Sequence, residues 1–355
     1  MQKFKSLSKY TRTSISSYGI IIAAYLIITL LSSTVGIGAA LEGYLVPVCV
    51  YIVLAVSLNL VVGISGELSL GHAGFMSIGA FVGLCVSNMV AANMESVVLR
   101  LIITLVVSGL FAGVIGFLIG IPVLRLRGDY LAIVTLAFGE IIKTVLKIVY
   151  VGVEESGALQ FSFNDEKGLH GCRFIFRGAS GATSAMGIAT FTAGIILVLF
   201  TLFVVINLIH SRTGRAITAL RDNRIAAESV GISATKYKMI AFVVSAALAG
   251  MAGALYSTNI VFTPLKLDYN VSIQILVFVV LGGMGNIPGT IISTIVLYLI
   301  PELFRSLSEY RMLIYAIVLI VVMLAKNSPK VKYFKDTLVE KVFHKKAAEE
   351  VGENV

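Results

Sequence analysis

Apolar runs about 20 residues long recur along this chain, each closed by a short stretch of glycine, polar or basic residues. That length matches a bilayer's hydrocarbon core of about 30 Å crossed as helix. Inside lipid every backbone amide must be satisfied within the protein, which leaves helices or a closed barrel. Barrel strands would be about 10 residues long with strict alternation, and no such alternation is visible. Composition agrees: the 355 residues are 57% hydrophobic and only 13% charged, against about 25% charged in soluble chains. The expected fold class is an all-α integral membrane protein.

Ten spans are expected, at 19–35, 45–62, 68–92, 97–121, 130–151, 187–209, 239–257, 271–286, 288–304 and 311–326. A basic N-terminal stretch ahead of the first apolar run also fits a signal peptide, but the run is long for one and many spans follow, so an uncleaved first span is expected. Ten crossings put both termini on one side, and the charges test which. Lys3, Lys5, Lys9 and Arg12 precede the first span, Arg125 and Arg127 lie in the 122–128 turn, and six basic residues lie in 210–238. Seven more follow from Lys326, so 19 of the 28 Lys and Arg fall on one expected side. The loop 152–186 carries only Lys167, Arg173 and Arg177. The positive-inside rule then assigns the termini and the 210–238 insert to the cytoplasm, and 152–186 to the outside. The expected organisation is a cytoplasmic segment 1–18, a transmembrane domain 19–326 containing the 152–186 outer loop and the 210–238 loop, and a lysine-rich tail 327–355. Five spans on each side of the outer loop suggest two halves in inverted orientation, a common plan for transporters, although no strong residue match links them. The net charge of +9 sits in loops beside spans, so membrane lipid rather than nucleic acid is the expected contact. Trp is absent, leaving 14 Tyr and the basic residues as interfacial anchors.

No catalytic chemistry is legible. There is no phosphate-binding GxxxxGK[ST] loop, the three cysteines (Cys49, Cys85, Cys172) have no metal-ligand or disulfide spacing, and the histidines (His72, His170, His210, His344) are scattered. No cofactor or metal is expected in this chain.

Four segments stand out. Residues 59–83, NLVVGISGELSLGHAGFMSIGAFVG, are dense in glycine, as close helix packing demands or as a broken helix lining a pathway requires. Gly71 and Gly74 are the candidate break, flanked by Glu67 and His72, which are either solvated at a span's end or part of an inner gate. In 124–147, Asp129 is expected to cap the following helix. Glu140 lies eleven residues further on, about 16 Å up the helix, where a lone carboxylate is costly. It either pairs with Lys143 or lines a polar path. The segment 282–289, GGMGNIPG, holds Gly283, Gly285 and Asn286. It reads as a turn between two crossings or as the tip of a hairpin entering from outside.

The fourth segment is the insert 212–238, RTGRAITALRDNRIAAESVGISATKYK, a polar, basic block between apolar runs. Ala226, Ala227 and Gly231 offer a small surface, decorated by Arg221, Asp222 and Glu228. A short helix along the membrane with its small side chains outward fits a groove on a cytosolic partner. An ordinary interfacial amphipathic helix has the same composition.

Four blocks in order, LSLGHAGFMSIGAF (68–81), LRLRGDYLAIVTLAFGEI (124–141), GRAITALRDNRIAAESVGISATKYK (214–238) and LGGMGNIPGT (281–290), resemble permease subunits of ABC importers for branched-chain amino acids, the LivM type. The resemblance covers roughly 45–325. It implies a non-enzymatic subunit that pairs with a homologous second permease. Two cytosolic ATPase subunits, which bind ATP and Mg, drive the pair, and an extracytoplasmic binding protein supplies substrate. It also implies a bacterial or archaeal plasma membrane. The family's ATPase-contacting motif, EAA then three residues then Gly, appears here as Ile225, Ala226, Ala227 and Gly231, without the glutamate. Related sugar and urea permeases share the fold, so those substrates stay open, and an ion-gradient transporter is the rival from another class.

Overall fold

A computed structural model describes residues 9–34, 39–93, 96–126, 128–154, 159–163, 173–182 and 187–303, with isolated positions at 310, 313, 317 and 320. Eleven α-helices are described: α1 (Lys9–Thr34), α2 (Ala39–Asn59), α3 (His72–Asn93), α4 (Val97–Val123), α5 (Asp129–Ile148), α6 (Phe191–His210), α7 (Arg212–Asp222), α8 (Arg224–Ser229), α9 (Ala234–Asn259), α10 (Tyr269–Gly282) and α11 (Ile287–Leu303). Five stretches are long and apolar enough to cross a membrane among the described residues: Glu42–Ile64, His72–Ala91, Val97–Val123, Phe191–His210 and Ala234–Asn259. Helix α5 has the length but carries Asp129, Glu140, Lys143 and Lys147. Helix α10 has only 14 residues. The expected span 311–326, the segment 1–8, the tail 327–355, Arg127, His170 and Cys172 lie outside the described residues, apart from the isolated positions above.

Helix α9 is the centre of the bundle, packed against α2, α3 and α4. Its buried face is made of small residues (Ala241, Ala246, Ala249, Gly250, Ala252, Gly253, Ala254), which let helix backbones approach closely where lipid supplies no hydrophobic drive. A Cβ on Gly79 of α3 would strike the Gly250 backbone, and one on Gly250 would strike Ala112 and Ser108 of α4, so α9 is pressed on both sides through glycine.

The expectation of an all-helical chain needs correction between α5 and α6. Strands β1 (Val149–Val153), β2 (Leu159–Phe163), β3 (Arg173–Arg177) and β4 (Gly181–Ala182) form an antiparallel sheet in the order β2-β1-β3-β4. The physical reason is a long connection with short runs of Val and Phe, residues that favour strands, whose backbone groups need partners. The sheet is anchored by Phe176, fully buried between Phe81 of α3 and Phe262 at ring distances of 5.1 and 5.7 Å. Phe262 follows the C-terminus of α9, so the sheet lies at the end of α9 opposite the insert.

Helix α5 differs from expectation at its start. Gly128, with φ of 58°, occupies the cap position and Asp129 is the first helical residue. Its negative charge there complements the positive end of the helix dipole rather than closing the helix as a cap.

Candidate functional site: the insert and the elbow it grips

Helix α2 does not end cleanly. It runs into a π-helical turn, Leu60–Ile64, whose residues are all buried. The chain then turns at Gly66, whose φ of 74° lies in the left-handed region that favours glycine, and continues without helix to Gly71. Helix α3 begins only at His72. Its imidazole Nε2 lies 2.8 Å from the Ser57 hydroxyl, and Ser245 of α9 donates to the Ser57 carbonyl at 2.6 Å. Ser245 is eleven residues into α9, so α3 starts about 17 Å above the insert end, near half the height of the bundle. Gly71 and Gly74 sit where this start presses on α5, against Thr135 and Gly139.

A second discontinuity comes from the other end. After α9 the chain runs through a 3-10 turn, Pro264–Lys266, and begins α10 at Tyr269, with Asp268 Oδ1 accepting the Asn270 amide at 3.0 Å. The two starts touch: the Ala73 amide donates to Ser272 Oγ at 3.0 Å. Beside them Glu140 pairs with Lys143 at 2.6 Å and accepts the Tyr269 amide at 3.3 Å. The internal pair weighed from sequence is present, and the carboxylate also meets the positive end of α10.

The turn between α10 and α11 lies at the insert end. The Gly285 amide donates to Asn59 Oδ1 at 2.8 Å, and Asn59 Nδ2 donates to Thr290 Oγ1 at 3.0 Å. The hairpin α10–α11 therefore points its tip toward the insert, and Asn286 sits at that tip, its Nδ2 donating to the Gly282 carbonyl. Gly283 and Gly285, with φ of 95° and 80°, form the turn itself.

The insert is two short helices. Ser211 caps α7 by accepting the Gly214 amide at 3.1 Å, and Asn223 caps α8 by accepting the Ala226 amide at 3.1 Å. Helix α8 is closed by paired bonds, Gly231 N to Glu228 O at 3.0 Å and Ile232 N to Ala227 O at 3.1 Å. This closure needs a left-handed residue, and Gly231 supplies it with φ of 86°. Small side chains do not all face outward as expected. Ala227 is buried against Leu220 and Ala234, with Ile232 packed alongside. Ala226 is exposed, and the outward face is completed by Ile225 and Val230, 82% and 75% exposed. An ion pair, Arg224–Glu228 at 2.8 Å, runs along the same helix.

Two basic side chains tie this insert to the elbow 63–67. Arg221 donates through Nη1 to the Gly63 carbonyl at 2.9 Å, while its Nε and Nη2 hold Asp222 Oδ1 at 3.1 and 3.0 Å. Its aliphatic stem lies directly over Gly66. Lys238, in the first turns of α9, forms an ion pair with Glu67, and their side chains are only 11% and 13% exposed. Beneath them Leu60, Ile64, Ile217 and Ala241 form one buried cluster.

The sequence-selected residues thus fall into separate places. Glu67 belongs to the insert joint, His72 to a buried contact inside the bundle, Glu140 to the meeting of helix starts, and Asn286 to the hairpin tip. Asn59, Ser57, Lys238, Gly66 and Ser272 were not singled out. Gly66 carried a signal as the third residue of an ISGE run after an apolar helix. Lys238 carried none, since its partner is 171 positions away.

The family described as "Branched-chain amino acid transport system / permease component" matches residues 40–323. The chain is similar to the high-affinity branched-chain amino acid transport system permease protein LivM of Salmonella typhimurium, 37% identical over 287 residues, covering 78% of this chain and 66% of that protein. The Escherichia coli LivM gives the same figures. The probable branched-chain amino acid transport permease protein LivM of Methanocaldococcus jannaschii is 24% identical over 238 residues, covering 64% of this chain and 62% of that protein. The chain spans just under two thirds of the length of these curated relatives. No solved structure gives a significant match.

Proposed function

We propose, from the premise that this chain belongs to the permease-component family of branched-chain amino acid transport systems, that it is the membrane-spanning subunit of an ATP-driven importer for branched-chain amino acids. Its partners are a homologous second permease, two cytosolic ATPases that bind ATP and Mg, and an extracytoplasmic binding protein. The observation that carries this reading is the insert: α8 and the residue that closes it present Ile225 and Val230 outward, while the inner side is packed on the bundle through Leu220, Ala227 and Ala234. Exposed apolar side chains on a short capped helix are what a groove on a cytosolic partner accepts. ATP binding closes the ATPase pair, moves the insert and shifts the permeases between inward-open and outward-open forms. A nucleotide shifts such an equilibrium only by binding the two forms differently, so the insert must meet the ATPase differently in each.

Ten crossings in two inverted halves, with both termini in the cytoplasm of a bacterial or archaeal cell, complete the proposal. Two observations support the inverted halves. One half breaks a helix and restarts it at half height from the insert end, and the other does the same from the sheet end, the two starts meeting at Ala73 and Ser272. Glu140 and Lys143, beside that meeting point, are candidate lining of the path.

The experiment is uptake by the whole complex in reconstituted vesicles, with leucine, a sugar and urea offered in turn. Uptake of leucine that requires ATP on the insert side is expected. Uptake of only the sugar or urea replaces the substrate assignment. Uptake that survives ATP depletion and stops with an uncoupler replaces the energy source.

A further inference from the structure

We infer that Arg221 and Lys238 are positioning residues through which the insert moves the 63–67 elbow, with the Gly63 carbonyl and the Glu67 carboxylate as the points they hold. This rests on the reading of the insert as the coupling element and names where the motion goes next.

The two basic residues bracket α8. Arg221 lies at the end of α7, immediately before α8, and Lys238 lies in the first turns of α9, immediately after it. Anything seated on Ile225 of α8 and Val230 just after it therefore has its displacement carried in both directions along the chain to a side chain that reaches the elbow. The elbow is suited to receive it. It begins in the last residues of the π turn Leu60–Ile64, a wider turn than the α-helix that recurs at functional sites, and it has a left-handed glycine, Gly66, between the two held points. Asp222 holds two of the three Arg221 nitrogens and so fixes the direction of the third toward Gly63. The elbow leads straight to the half-height start of α3, where Ala73 bonds Ser272 of α10. Motion of 63–67 thus arrives at the point where both interrupted helices meet. The hairpin tip follows as well, because Gly285 is bonded to Asn59 at the head of the same π turn.

A purely structural role for these contacts predicts that removing them lowers uptake and ATP hydrolysis together. A transmission role predicts that the two separate. The test uses the whole complex in vesicles and measures solute taken up per ATP hydrolysed. The variants are Arg221→Gln, the paired replacement Glu67→Leu with Lys238→Met, which leaves neither charge buried alone, and the exchange Glu67→Lys with Lys238→Glu. Arg221→Gln and the paired replacement are expected to keep ATP hydrolysis within about twofold of the unaltered complex while uptake per ATP falls at least about tenfold, a typical size for a site-to-site coupling. The exchange is expected to restore most of that ratio. Equal loss of uptake and hydrolysis, or an unchanged ratio, overturns the inference. Absence of ATP-driven uptake in the unaltered complex is a different result and overturns the proposed function instead.

Discussion

The chain interrupts a helix twice, and the two interruptions differ in what ties them down. The elbow after α2 rests on the buried cluster of Leu60, Ile64, Ile217 and Ala241 and is tied from the insert side by two charged side chains, Arg221 on a backbone carbonyl and Lys238, at the start of α9, on Glu67. The passage after α9 is held by apolar packing. Phe262 is fully buried and stacked on Phe176, Leu267 is 3% exposed, and the Ala182 amide bonds the Phe262 carbonyl at 2.7 Å. Aromatic packing of this density tolerates little displacement before contacts are lost. A long basic side chain can keep its partner while its stem changes rotamer. The difference teaches that one discontinuity is a fixed entry and the other an adjustable one, with the adjustable one placed beside the insert.

The sharpest way to break this contrast is Phe262→Ala. Removing a buried aromatic ring typically costs about 3–5 kcal/mol, so thermal unfolding in detergent should show the largest loss of any substitution named here. A small shift would mean that the far-end passage is no more rigid than the elbow. Next is Ala227→Asp, which places a carboxylate without a partner beneath α8, against Leu220 and Ala234. Burying a polar group without a partner costs about 1–3 kcal/mol on the scale of protein substitutions, so ATP-driven uptake should vanish while immunoblots of membrane fractions show normal insertion. Asn59→Asp comes third. It keeps the acceptor for Gly285 but loses the donor to Thr290, and a buried polar group left unpaired costs about 1–3 kcal/mol. Uptake should fall severalfold, with the hairpin tip exchanging amide hydrogens faster. Gly231→Ala is smaller: the space around Gly231 is open, so the cost is the left-handed backbone alone, about 1 kcal/mol. Uptake at the normal rate after Gly231→Arg would refute the role of the insert altogether. The smallest effect on stability should come from Ile225→Ser, which leaves unfolding unchanged but weakens co-purification with the ATPases.

Much of the helical plan was legible because membrane helices announce themselves by length and hydrophobicity alone. The expected 97–121, 187–209 and 239–257 segments correspond to α4, α6 and α9 within a few residues. The insert was legible too, since Asn223 before Ala226 and Gly231 after Glu228 are the residue types that open and close a short helix. The sheet was not. Five-residue strands such as RFIFR and LQFSF are too short to stand out from a polar loop, and their pairing partners are set by the fold. Nor could the restart of α3 at half height be read. It depends on Ser57 meeting Ser245, 188 positions away, and Ala73 meeting Ser272, 199 positions away. Ala227 looked like a surface residue for the same reason: its burial exists only once α7 and α9 have folded over it.

Asn59 uses both ends of its side-chain amide, one toward Gly285 and one toward Thr290. The foot of α2 and the tip of the α10–α11 hairpin are therefore fastened into one unit. On the coupling proposed above, a covalent strap engineered within that unit leaves turnover untouched, whereas one fastened from it to α8 stops it.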